Sequence, residues 1–244
     1  MEGILMAGLN RAYKRRGNAV ALNGAPVLCL DAGSRLSYPG SGTAWTDLSG
    51  NANNGTLVNG PTFDSANGGI ILLDGINQYA TCASSNSFAF GTGDFTLEIM
   101  VYHGISGNQY SHLLSLPNQN TFTLKSRETG TFGEIYFYSP SFATYGAGGI
   151  PAATASDWVL ARNAWNHIIF ARNSSVGYGY KNGILKGSKS GFTVNFTQQI
   201  LNIGSGWGGE YRSKNIGFVR IYNRALTAAE VATNFELLRG RYGI

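Results

Sequence analysis

From Pro26 onward the chain alternates short apolar runs with glycine and asparagine, and most runs are too short for a helix. Residues 27–31, 69–74, 79–82, 95–102, 111–116, 121–125, 134–138, 165–171, 176–181, 184–187, 200–204 and 216–222 read as strands. From Phe95, one face carries Phe95, Leu97, Ile99 and Val101 and the other Thr96, Glu98, Met100 and Tyr102, which predicts a half-buried antiparallel strand. The pair Asn182-Gly183, between Lys181 and Ile184, has the φ > 0 preference of a type I′ hairpin turn. Strands at this spacing predict an all-β sandwich or barrel.

A helix is expected near the end of the chain. Thr227-Ala-Ala-Glu230 has the spacing of a capping box, with Leu226 and Val231 placed as a hydrophobic staple. Val231, Phe235 and Leu238 then form an apolar stripe that should lie against the sandwich. Residues 1–24 differ from the rest. Leu5, Leu9, Ala12 and Tyr13 recur at helical spacing, and Arg11, Lys14, Arg15 and Arg16 follow closely. Gly3, Gly8 and Gly17 weaken an isolated helix, so this segment is expected to be an arm held by a partner surface or folded back on its own domain. The division expected is an N-terminal arm over 1–24 and one β domain over 25–244.

Composition narrows the function classes. Of 244 residues 34 are glycine and only 13% are charged, which suits a turn-rich β domain and excludes a coiled coil or a charge-driven disordered chain. The net charge of +5 is uneven, since four bases against Glu2 place +3 in the arm. So small a basic cluster suits an acidic protein partner better than a dedicated nucleic-acid fold. No run approaches the ~18 apolar residues of a membrane span. The order of Glu2, a short apolar stretch and then the bases reverses that of a secretory signal, so export by that route is not expected. Cys29 and Cys82 sit in strand-like runs and read as core thiols or as one bridge.

Several ordered motifs carry a family resemblance. They are Trp45-Thr-Asp-Leu-Ser-Gly-Asn-Ala-Asn-Asn-Gly-Thr-Leu57, Leu73-Asp-Gly75 with Tyr79, Phe95-Thr-Leu97, Trp165-Asn-His-Ile168, Lys181-Asn-Gly183 and Ile221-Tyr-Asn-Arg-Ala-Leu-Thr-Ala-Ala-Glu-Val231. Their order over about residues 26–238 resembles laminin-G-like, concanavalin A-like domains. The resemblance implies a jelly-roll sandwich of two antiparallel sheets, a fold that serves lectins, adhesion modules, glycanases and structural proteins alike. The closing stretch Asn234-Phe-Glu-Leu-Leu-Arg-Gly-Arg-Tyr-Gly-Ile244 also resembles the tail of laminin-G-like structural proteins of tailed phages.

Glycanases of this fold resemble one another in clustering acids on one strand, whereas the acids here are dispersed. The pair Glu128 and Glu134 in the β region is separated by a glycine-containing turn, so a glycoside hydrolase is the minority reading and a non-enzymatic chain the expectation. His103, His112 and His167 form no zinc spacing, and His167 is expected to pack structurally. Asp47, Ser49, Asn51 and Asn53 offer oxygens at alternate positions, with Asp74 as a further donor, so calcium is weighed against Asx turns. The turns are favoured because carboxylates are few. Gly217-Phe-Val-Arg220 also stands where the resemblance leads one to expect acids, and no cofactor is expected.

For glycan binding the candidates are Trp207 and Tyr211 in the glycine-rich stretch 204–211, together with Tyr136 and Tyr138. Aromatic planes stack on the C–H faces of sugars, and nearby amides bond hydroxyls. The bland alternative has Trp207 plugging the sandwich and the tyrosines lining a sheet rim. The function expected is a non-enzymatic virion structural protein, a capsid decoration or tail-associated component, with a lectin-like surface domain. It would be assembled in the host cytoplasm and displayed on the virion, as a homo-oligomer or alongside other virion proteins. The alternative is a carbohydrate-binding attachment module.

Overall fold

The computed structural model describes residues 25–103, 110–116, 122–129, 132–138, 159–197, 199–206, 211 and 213–244. In chain order its elements are β1 (Leu28–Asp31), β2 (Ala44–Trp45), β3 (Gly55–Val58), β4 (Thr62–Asp64), β5 (Ile70–Asp74), β6 (Tyr79–Ser85), β7 (Phe95–His103) and β8 (Tyr110–Leu116), then β9 (Phe122–Thr129), β10 (Phe132–Tyr138), β11 (Val159–Leu160), β12 (Ala164–Asn173), β13 (Val176–Lys181), β14 (Ile184–Ser190), β15 (Gln199–Ile203), β16 (Ser213–Tyr222) and the helix α1 (Ala228–Tyr242). The arm over 1–24 lies outside the described residues.

Two antiparallel sheets form the sandwich. The first runs β14-β13-β12-β7-β16-β5-β4, with β1 also paired to β16, and the second runs β11-β10-β9-β8-β15-β6-β3-β2. The inner faces share one core that includes Leu30, Trp45, Leu97, Ile99, Leu114, Phe170, Leu201 and Ile221. This is the sandwich that the alternating runs predict. The short strands β2, β3, β4 and β11 were not foreseen, because two to four residues show no period.

One expectation is corrected. The strand from Phe95 is not half-buried, because Thr96, Glu98 and Met100 on its second face are as inaccessible as Leu97 and Ile99. The reason is α1, which lies over the outer face of the first sheet. Beneath it Met100, Trp165, Phe218, Leu238 and Tyr242 form one cluster, and Ile169, Tyr180, Tyr222, Leu226 and Val231 another.

The helix begins at the expected capping box. Glu230 N donates to Thr227 Oγ1 at 3.3 Å and Thr227 N donates to Glu230 Oε2 at 2.8 Å. At its far end Arg241 Nη1 reaches Asp31 Oδ1 at 2.8 Å, and Arg241 Nε reaches the Asn67 carbonyl at 2.7 Å. A Cβ on Gly33 would strike the Arg241 guanidinium at 2.1 Å, so glycine there admits this anchor. Both cysteines are buried thiols outside any disulfide, and burial, with Asp47 adding to it, pushes the Cys82 thiol up to about 12.

Candidate functional site

The outer face of the second sheet is built from rows that cross its strands. Register pairs Leu124 with Leu114, Leu114 with Ile203, Ile203 with Ala80 and Ala80 with Leu57, and all five side chains are buried. The neighbouring row points the other way. Thr123 pairs with Ser115, Ser115 with Asn202, Asn202 with Thr81, Thr81 with Thr56 and Thr56 with Ala44. Strand alternation therefore writes a ladder of hydroxyl and amide groups across the sheet.

The segment after β15 folds onto this ladder. Ser115 Oγ donates to the Ser205 carbonyl at 2.7 Å, and Gly204 N donates to the Leu113 carbonyl at 3.0 Å. Thr123 Oγ1 lies 2.5 Å from His112 Nδ1, in a hydrogen bond whose direction the imidazole tautomer sets, and 3.2 Å from the Leu114 carbonyl. Gly206 sits against the same imidazole, where a Cβ would come within 2.2 Å of the ring. The loop thus covers Ser115 and Thr123 and leaves Asn202, Thr81 and Thr56 open to solvent in part or fully. Thr81 Oγ1 lies 2.9 Å from Asn202 Oδ1 and 3.2 Å from the Leu201 carbonyl, sharing its proton between two acceptors.

Beside the open part, Tyr79 of β6 meets Tyr211, with ring centroids 6.0 Å apart and planes tilted by 40°. Both rings are half-buried. Tyr211 is thus the one glycan candidate seen in a described aromatic pair. Trp207 lies outside the described residues, as do the side chains of Tyr136 and Tyr138. The backbone of β10 sets Tyr136 opposite Lys125 and Tyr138 opposite Thr123, so Tyr138 falls in register with the polar row. The arm residues Leu5, Leu9, Arg11, Tyr13, Lys14, Arg15 and Arg16 also lie outside the described residues. Thr81 and Asn202 are not singled out by the sequence, and Tyr79 enters there only as a residue of a family motif, not of a site. The signal was present in the uncharged polar positions alternating with Ala80, Cys82, Leu201 and Ile203, but only pairing puts the two strands side by side.

The calcium candidates sit in turns. Asp47 Oδ1 accepts from Cys29 N at 2.8 Å and Ser49 N at 2.9 Å, while Oδ2 accepts from Ser49 Oγ at 2.6 Å and Asn53 N at 3.0 Å. Asn51 Nδ2 donates to Ser49 Oγ at 3.0 Å. Asp74 Oδ1 accepts from Ile76 N at 2.8 Å and so holds the turn by which the chain crosses from β5 of the first sheet to β6 of the second. Among the described residues no three His, Cys, Asp or Glu side chains gather as a metal site.

Other buried ionisable groups serve packing. Glu98 Oε1 accepts from His167 Nε2 at 2.8 Å and Oε2 from the Tyr222 hydroxyl at 2.9 Å, with Arg220 Nη1 3.5 Å from Oε1. Burial alone would raise the Glu98 carboxyl, but Arg220, His167 and Tyr222 outweigh it and hold it below its ordinary range. Arg220 thus occupies the position where the resemblance leads one to expect acids because it balances this buried carboxylate. At one end of the sandwich Arg172 donates to the carbonyls of Gly91, Gly93 and Val194 and lies over Phe95, Phe192 and Phe196. Burial lowers its guanidinium to about 10, against the opposing influence of Asp94. The acids Glu128 and Glu134 are not cross-strand partners, since register sets Glu134 opposite Arg127 and Glu128 opposite Gly133.

Two antiparallel sheets packed face to face, with a single helix over the outer face of one of them, define a concanavalin A-like class of β-sandwich. The family model for the concanavalin A-like lectin/glucanases superfamily matches residues 74–232, and the chain belongs to that superfamily. No curated protein sequence matches it significantly. Among solved structures it is similar to Trypanosoma rangeli sialidase in complex with sialic acid, at TM-score 0.65 and 15% identity over 98% of this chain and 38% of that chain. Domain 4 of AbnA, a GH43 extracellular arabinanase from Geobacillus stearothermophilus in complex with arabinotriose, is similar at TM-score 0.65 and 15% identity, over 87% of this chain and 98% of that chain. The botulinum neurotoxin serotype G binding domain follows at TM-score 0.61 and 15% identity, over 87% of this chain and 51% of that chain. Such identities establish a shared fold and nothing finer. The chain spans 38% of the sialidase's length.

Proposed function

We propose that this chain is a non-enzymatic module that presents a carbohydrate-binding face on a larger assembly. The observation that carries the reading is the Tyr79–Tyr211 pair beside the open hydroxyl and amide row of Thr56, Thr81 and Asn202. Aromatic planes and uncharged hydrogen-bonding groups are what a sugar needs from a protein surface. The arabinanase domain solved with arabinotriose supports it, because that chain is matched over almost its whole length. A non-catalytic role is supported by what the described acids do. Glu98 is buried in an ion network, and Asp31, Asp47 and Glu230 hold turns or pair with arginine.

The finer reading is a virion surface protein of a tailed phage. It is supported by the resemblance of residues 234–244 and by the cationic arm, which suits anchoring to an acidic neighbouring subunit. In this reading Leu5, Leu9 and Tyr13 bury against that neighbour while Arg11, Lys14, Arg15 and Arg16 pair with its acids.

Two experiments test these readings. Glycan-array binding of the full chain is expected, with loss on Tyr211→Ala or Trp207→Ala while the circular dichroism spectrum is kept; silence across a broad array overturns the lectin reading. Reversing the charge of Lys14, Arg15 and Arg16 is expected to abolish incorporation into purified virions, and unchanged incorporation overturns the anchoring role.

A further inference from the structure

We infer that the open face formed by β2, β3, β6 and β15 takes an uncharged, extended oligosaccharide laid across the strands. This deepens the carbohydrate-binding reading and rests on it. The starting observation is electrostatic. None of these four strands contains a charged residue, in a chain whose net charge is +5 and whose exposed strand β14 carries Lys186 and Lys189. Solvent-facing strands ordinarily use charges to stay soluble and to block unwanted pairing. Here their place is taken by Thr56, Thr81 and Asn202, with Tyr79 and Tyr211 alongside. Charge complementarity then selects a neutral occupant. A sialylated or uronic-acid ligand would bring carboxylates to a face whose described side chains offer no cation. The charged residue closest to Tyr79 along the chain is Asp74, with Oδ1 held by Ile76 N, and Tyr211 is flanked by one charge of each sign, Glu210 and Arg212, both outside the described residues.

The direction of the ligand follows from the register. Thr56, Thr81 and Asn202 are successive cross-strand partners, so they stand about 4.8 Å apart in a line perpendicular to the strands. A linear chain of hydroxyl-bearing rings running along that line meets a new hydroxyl or amide on each strand it crosses. The Asn202 amide adds direction. Its Oδ1 is engaged by Thr81, while its Nδ2 hydrogens have no partner among the described residues and are available to a sugar oxygen. Exposed Ile200, two residues before Asn202 on β15, adds a single apolar side chain, well short of the large buried anchors that a protein partner uses.

The test uses the full chain in affinity electrophoresis and calorimetry. The neutral probes are linear arabinan, mixed-linkage β-glucan and galactomannan, and the anionic probes are polygalacturonate, alginate and colominic acid. Binding to at least one neutral polymer is expected, with affinity rising from its disaccharide to its tetrasaccharide. Asn202→Ala and Thr81→Val are each expected to weaken it about tenfold, and Tyr79→Ala at least as much. Unfolding midpoints of the variants separate lost contacts from lost fold. Binding confined to anionic polymers, or neutral binding indifferent to Asn202→Ala and Thr81→Val, overturns this inference and leaves a lectin with its site elsewhere. A concentration-dependent dimer that the same substitutions dissolve assigns the face to a second copy and also overturns it. Silence on every probe overturns both this inference and the reading beneath it.

Discussion

Glu98 Oε1 lies 2.8 Å from His167 Nε2, and both side chains are buried beneath α1. The same carboxylate takes the Tyr222 hydroxyl, stands near Arg220 and lies 3.4 Å from Asn234 Nδ2 of the helix. One acid therefore joins β7, β12, β16 and α1. Glu98→Gln keeps the shape and removes the charge that balances Arg220. We expect it to cost about 3 kcal/mol, the scale of breaking a buried ion pair by deleting one partner, measured by urea unfolding.

The same group is expected to make the fold acid-labile. Its folded carboxyl binds a proton less readily than the unfolded chain's, so the stabilisation is complete above the ordinary glutamate range and is lost as pH falls through the depressed folded value. His103 adds to this. Burial, with Lys214 and Arg162 nearby, holds it down to about 4, so the unfolded chain takes up a proton below about 6.5 while the folded one resists. Stability measured from pH 7 to pH 3 should fall steadily, and Glu98→Gln should flatten the lower part of that curve. An acid limb identical to that of the unaltered protein contradicts the assignment.

Arg172 should not tolerate lysine. Its guanidinium serves three carbonyls at once and lies 5.0 Å from the Phe95 centroid. A lysine ammonium is a point charge without that planar fork. Arg172→Lys and Arg172→Met are both expected to lose about 2–3 kcal/mol, read from denaturant midpoints. A near-silent Arg172→Lys counts against the fork.

Asp47 offers a further check. Four donors already fill its two oxygens, so Asp47→Ala should destabilise the 47–53 turn by about 2 kcal/mol, with or without calcium. Scans in calcium and in chelator should superimpose. A melting temperature raised by calcium and insensitive to Asp47→Ala would point to other ligands.

Gly206 tests how the loop is seated. A methyl group there meets the His112 imidazole, which is bonded to Thr123, so Gly206→Ala should disturb the seating of residues 204–206 on the polar row. Glycan binding is expected to suffer more than stability. Equal binding by Gly206→Ala and the unaltered chain would detach this seating from recognition.

Much of the sandwich was legible in the chain because its cause is local. Period-two alternation names an inner face for each strand, Asn182-Gly183 supplies the left-handed turn that β13 and β14 need, and Thr227 with Glu230 caps a helix within one turn. The strand from Phe95 shows where locality ends. Thr96, Glu98 and Met100 look like a solvent face until a helix more than 120 residues away along the chain covers them. Tyr211 could be picked out by its glycine-rich setting. Its neighbour Tyr79, and the row joining Thr56, Thr81 and Asn202, could not, because they come from three separate strands and become adjacent only through pairing. Which residues line the inner faces can be read along the chain, since hydrophobic burial acts on each strand separately. Which polar residues stand together emerges only on folding, since hydrogen-bonded register unites segments that the chain keeps far apart.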